Sequence, residues 1–168
     1  MARLVEITDF GTAKREAARL EGVAVASANI RVPLEEIAAD MMRIEQIMFN
    51  SGGRRGGGGW ARLKTETIVK KGNSAILRTS GSAIGYKELP GDDILEKSLT
   101  EPDAPYQILK IFKNTIHFGT SRPYAAVHQY GSRARGIPKR EFMRFTVKDH
   151  SRWNDIIAKH IIRPHMVK

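Results

Sequence analysis

The chain has 168 residues, 41% of them hydrophobic, a formal net charge of +10 and no cysteine. That length suits one domain burying roughly 70% of its unfolded surface, and the lack of cysteine excludes disulfides, thiol nucleophiles and thiolate metal sites. No apolar run approaches the ~18 residues of a membrane span and Met1–Glu6 has no signal-peptide apolar region, so the expected product folds in a reducing cytosol without a membrane partner.

Leu4–Thr8 reads as a short strand, ended by Asp9 and Gly11. Thr12 is placed to cap a helix from Ala13 to about Ala28. Pro33, at a first helical turn, opens a stronger helix to about Asn50. There Leu34, Ile37, Ala38, Met41, Ile44, Ile47 and Met48 recur at i, i+3, i+4 and i+7, a core-facing stripe opposed by Glu35, Glu36, Arg43 and Glu45. The pattern then stops at Ser51-Gly52-Gly53-Arg54-Arg55-Gly56-Gly57-Gly58-Gly59. This stretch has nothing to bury and maximal backbone freedom, so residues 51–72 are expected to form a flexible arm. The arm is either one that orders on a partner with Trp60 as its anchor or a plain disordered linker. It contains no GxxxxGK[ST] and follows no strand, so it is not a phosphate cradle.

Ala75–Thr79 reads as a short strand or a helix entry, and residues 88–105, with Pro90, Gly91, Pro102, Pro105 and six acids, as loop. Tyr106 to Phe112 and Thr115 to Phe118 flank Lys113-Asn114 as an antiparallel hairpin. Ile116 and Phe118 point to its buried face, Thr115 and His117 to the other. At Pro123–Ser132 a stiff bend is expected: Pro123 fixes φ and starts a turn of helix, Ala125 and Ala126 allow close approach to the sheet, and Gly131 permits a left-handed exit. Beyond the basic tip at Arg133 and Arg135, Pro138 stiffens the return, Phe142 plugs the core, and Arg140 clamps a carboxylate or carbonyls. A closing helix from about Asp149 to Ile162 carries the stripe Trp153, Ile156, Ile157, His160 and Ile161.

The five histidines form no HExxH and no pair stands beside a carboxylate at ligand spacing, so neither metal nor cofactor is expected. His128, followed by Gln129 and flanked by Tyr124 and Tyr130, is the one imidazole placed for general-base work. No Ser or Cys sits in a nucleophile elbow, and hydrogen bonding to the backbone of the bend explains His128 and Gln129 more simply. No enzymatic role is expected. Charge is uneven: residues 1–50 hold 6 basic and 8 acidic side chains, 51–90 hold 8 and 2, 91–118 hold 3 and 5, and 119–168 hold 11 and 3. Such asymmetry fits a polyanionic partner, or two faces of opposite sign that meet on neighbouring copies.

The order FNSGG…GGW at 49–60, LKTETIVKKG at 63–72, ILRTSG at 76–81, SLT at 98–100, YAAVHQYGS at 124–132 and IPKREF at 137–142 resembles the phage virion morphogenesis family, which includes tail completion proteins of the Mu and P2 types. The combination of HQYG with IPxRxF is the specific part. The resemblance spans about residues 45–165. It implies an α+β fold, no catalysis, and a structural role at the head–tail junction or tail terminus of a tailed bacteriophage. Tyr124, Ala125, His128, Gln129, Gly131, Pro138, Arg140 and Phe142 carry over as signature residues with architectural roles. The chain departs from the family at Thr79–Ala83 and in the Gly/Arg richness before Trp60.

The resulting expectation is a single α+β domain over residues 1–168, a small antiparallel sheet packed against two to three helices, with the 51–72 arm inserted. Its function would be that of a virion subunit made in the bacterial host cytoplasm. It would form a ring, a hexamer to match tail symmetry, between the connector or stopper and the tail tube or tail terminator. Interface candidates are Arg54, Arg55, Trp60, Tyr124, His128, Gln129, Tyr130, Arg133, Arg135, Arg140 and Phe142. The alternative is a basic nucleic-acid-binding domain using Arg54, Arg55, Lys70, Lys71, Arg133, Arg135, Lys139 and Arg140. Contact with packaged DNA is compatible with either.

Overall fold

The computed structural model describes residues 10–28, 30–55, 57–66, 69 and 94–162. Their elements run α1 (Phe10–Ala28), α2 (Arg31–Asn50), α3 (Ile94–Thr100), β1 (Gln107–Ile111), β2 (Ile116–Thr120), α4 (Ala125–Tyr130) and α5 (Val147–Ile162). The expected strand at 4–8, the segment at 75–79 and the pair Lys70-Lys71 lie outside the described residues. The class is α+β, as the sequence implied.

α2 is the axis of the fold. Its apolar stripe spans two packed clusters. Near its start Leu34, Ile37 and Ile44 meet Trp153 and Ile156 of α5, with Ile111 and Ile116 of the hairpin against them. Near its end Met48 and Phe49 meet Trp60, Leu95, Leu99, Ala125 and Phe142. α5 packs on α1 and α2, while the antiparallel pair β1–β2 rests on α2 and α3. Register runs from Gln107 opposite Thr120 to Ile111 opposite Ile116, so Ile116 and Phe118 face inward and His117 stays exposed, as the alternation required.

Five details differ from the sequence expectation. α1 begins at Phe10, so Thr12 lies inside the helix instead of capping it, because the Ala-rich run propagates a turn further back. β2 extends past Phe118 to Thr120, where Ser98 of α3 donates to the Thr120 hydroxyl at 2.9 Å. Residues 94–100, read as loop from the surrounding prolines, form α3. Leu95 and Leu99, four apart, are both buried and draw this short helix onto the core. Ala125 is buried but Ala126 is exposed, since only one of two neighbouring helical positions can face the core. Glu45, assigned to the solvent face of α2, is fully buried, whereas Ile47, assigned to the stripe, is 40% exposed.

The first part of the expected flexible arm is folded. At the end of α2 the Gly52 amide donates to Phe49 O at 3.1 Å and the Gly53 amide to Met48 O at 2.9 Å, closing the helix with both glycines at positive φ. The chain then turns back, and the Trp60 amide reaches Gly52 O at 2.8 Å. A Cβ on Gly53 would come within 2.2 Å of the Trp60 indole, so glycine there makes room for the ring. Trp60 packs edge-on to Phe49 at 5.4 Å between ring centres and donates its indole N–H to Glu141 O at 3.0 Å. Trp60 therefore anchors the glycine-rich turn to its own chain's core. The physical reason is burial of a large indole, which outweighs the freedom of the glycines.

Candidate functional site

The bend after β2 holds the residues singled out in the sequence. Tyr124 leads into α4, whose exit at Gly131 has φ 78°. A side chain there would stand 2.9 Å from Lys139 N and 3.2 Å from Ile137 O, so Gly131 is required both by its φ and by the returning strand. Ser132 and Ile137 exchange backbone hydrogen bonds at 2.8 and 2.9 Å, closing a tight tip that carries Arg133 and Arg135 into solvent.

Gln129 ties the bend to the return. Its Oε1 accepts the backbone N–H groups of Phe142 and Met143, each at 3.1 Å, and its Nε2 donates to Met143 O at 3.0 Å. One amide thus substitutes for a strand partner along Phe142–Met143. His128 contributes its carbonyl, which accepts the Arg140 amide at 2.7 Å. Its ring is buried edge-on to Tyr124. Arg140 is 5% exposed and donates its Nε–H to Ala61 O at 3.1 Å, and desolvation lowers its pKa. Of the two acceptor types expected for it, the structure supplies a carbonyl. Phe142 fills the core beside Phe49, as expected.

A charged network lies behind this corner. The Arg55 guanidinium donates to Asp149 Oδ1 and, at 3.4 Å, to Arg144 O. Asp149 Oδ2 accepts the Thr146 backbone N–H and hydroxyl, both at 2.7 Å, capping α5. Burial pushes the Asp149 carboxyl up, but the hydrogen bonds from Arg55 and Thr146 outweigh it and hold the group well below the usual carboxylate range. Arg152 links Asp149 to Asp40, which also accepts Trp153 Nε1 at 2.8 Å and Arg43. Asp40 is likewise lowered: burial raises it, and the hydrogen bonds from Arg152, Arg43 and Trp153 more than offset that.

Glu45 is the exception. It is fully buried, and neither oxygen meets a hydrogen-bond partner. Desolvation pushes its pKa up to about 8, with the Arg55 charge only partly opposing, so it is held neutral near pH 7.

The sequence candidates thus divide. Arg55, Trp60, His128, Gln129, Arg140 and Phe142 turn their polar or aromatic groups toward the chain's own backbone, core and Asp149. Arg54, Tyr130, Arg133 and Arg135 are exposed, Tyr130 at 76%, and Tyr124 is half-buried. Two of the cations offered for nucleic acid, Arg55 and Arg140, are committed internally. From the sequence Asp40 draws no expectation, Asp149 stands only as the start of a helix, and Glu45 is placed on the solvent face. Thr146-Val147-Lys148-Asp149 is a capping-box pattern that would have revealed Asp149. The Asp40–Arg152 pair, 112 residues apart, leaves no local signal.

Among the described residues no group of three acidic or histidine side chains could hold a metal ion, and no described helix is long and apolar enough to cross a membrane. No curated protein and no solved structure matched the chain. The family comparison matched residues 13–162 to the phage virion morphogenesis family, a span that takes in most of α1, α2, the hairpin, the Gln129 corner and all of α5. With most of its length so matched, the chain belongs to the phage virion morphogenesis family and is a virion-associated bacteriophage protein with a part in building the particle.

Proposed function

We propose that this chain is a tail-completion or head–tail joining subunit of the phage neck, acting as one member of a homohexameric ring between the connector and the tail tube. It performs no bond chemistry and needs no cofactor. Its partners are further copies of itself, the connector or stopper above and the tail tube or tail terminator below. The supporting observation is the use made of the signature residues. Gln129, Arg140 and the His128 carbonyl hydrogen-bond the chain's own backbone, and Gly131 gives way to it. They build a stiff corner that presents Tyr130 outward. A rigid corner with an exposed rim suits docking between subunits, where preorganisation limits the entropy lost on assembly. Exposed Leu20 and Val25 on α1 and Val32 on α2 supply apolar contact for lateral neighbours.

Electron microscopy of particles made without this protein tests the reading, together with light scattering of the purified chain at rising concentration. Separate heads and unjoined tails are expected. Infectious particles of normal appearance made without the protein would refute it.

A further inference from the structure

Two stretches far apart in the sequence, 51–66 and 131–146, hold nine basic and two acidic side chains between them. The fold lays them against each other. Arg55 reaches Arg144 O at 3.4 Å, Trp60 reaches Glu141 O at 3.0 Å and Arg140 reaches Ala61 O at 3.1 Å, while a Cβ on Gly57 would stand 3.3 Å from the Arg144 guanidinium. Arg55 and Arg140 are used in that joining, and Lys139 sits 3.4 Å from Glu141. Six cations remain: Arg54, Arg62, Lys64, Arg133, Arg135 and Arg144. All are exposed, and none takes part in an ion pair among the described residues.

We propose that this face binds the phosphate backbone of duplex nucleic acid, an activity separate from ring formation. Two observations favour phosphate over an acidic protein. Five of the six cations are arginine, whose planar fork matches phosphate oxygens. No large hydrophobic side chain within either stretch is exposed, and the exposed Tyr130 and Val147 lie just outside 131–146, so the residues between them lack the apolar anchors on which protein interfaces rest. No base-reading element is present in either stretch, so binding is indifferent to sequence.

The test is a fluorescence-anisotropy titration of the purified full-length chain against a labelled duplex of about 30 base pairs across a salt series. If about four of the six cations reach phosphates, log K falls against log salt with a slope of about −3.6. Charge reversal at the tip, Arg133→Glu with Arg135→Glu, then weakens low-salt binding at least about tenfold and makes the slope shallower by about 2. The same reversal at exposed Lys110 and Lys113 of the hairpin leaves binding unchanged. Circular dichroism confirms that each variant is folded. Absence of low-salt binding, or equal losses for the two reversals, overturns the proposal. So does a tip variant that blocks particle assembly while the parent chain binds no duplex, which assigns the face to a protein partner. Ring formation is read separately, by light scattering of the same variants, and the tip reversal is expected to weaken duplex binding while still assembling.

Discussion

Replacing Glu45 with Gln is expected to change the pH dependence of stability more than stability itself. The folded state keeps the Glu45 proton to about pH 8, whereas the unfolded chain loses it near 4.5. Between those values the unfolded state binds fewer protons, so stability falls as pH rises; the contribution is fully present below 4.5 and lost by about 8. At 1.36 kcal/mol per pH unit, the loss by pH 7 is on the order of 3 kcal/mol, a large part of the roughly 5–15 kcal/mol that holds a domain together. Gln is never ionised, so its amide incurs a burial cost that does not vary with pH. Urea denaturation of both proteins from pH 4.5 to 8 provides the measurement. The Glu45→Gln curve should gain about 3 kcal/mol on the parent between pH 4.5 and 7, equivalent to roughly 6–12 °C in Tm for a protein of this size. Parallel pH curves would mean that Glu45 is already ionised in the fold, and the reasoning from burial would be wrong.

Asp149→Asn has the opposite sign. With a lowered folded pKa, Asp149 stabilises above its usual value of 3.8, and that stability is lost as pH falls below it, so the variant's deficit at pH 7 should shrink in acid denaturation curves. Gly131→Ala meets both a positive φ and the Lys139 backbone and should cost about 2–3 kcal/mol in thermal melts. Gly52→Ala, at φ 61° with open space around it, should cost about 1 kcal/mol, and equal costs would discount the Lys139 contact. Gln129→Ala strands the Phe142 and Met143 amides and should lose about 2–4 kcal/mol by urea denaturation, whereas Gln129→Glu keeps both acceptors and loses less. Trp60→Ala should cost about 3–5 kcal/mol and Trp60→Phe about 1–2. A near-neutral Trp60→Ala would mean the glycine-rich turn does not depend on its anchor.

Local signals carried far where they were periodic or stereochemical. The α2 stripe, the hairpin about Lys113-Asn114, the glycine exit at 131 and the closing helix are set by side-chain spacing and by which residues tolerate a given φ, and both are written in consecutive residues. The HQYG and IPxRxF segments were legible as a junction for the same reason, down to the Gln129 amide serving the backbone. Burial of Glu45 could not be read that way. Its helical position looks solvent-facing, and nothing in the consecutive residues announces that the packed chain buries it near the Arg55 charge.

The sequence by itself determined the main helices, the hairpin and the stiff bend, because helix period, strand alternation and backbone freedom act over a few residues. Its motif order carried the resemblance to the family and the α+β class which that resemblance implies. Only the tertiary structure decided that the glycine-rich stretch after α2 is pinned by Trp60, that Arg55 and Arg140 are occupied within the fold, and that two distant basic segments lie against each other. Pairing and desolvation depend on distances between residues some 80–110 positions apart, and closing such loops is a property of the whole packed chain.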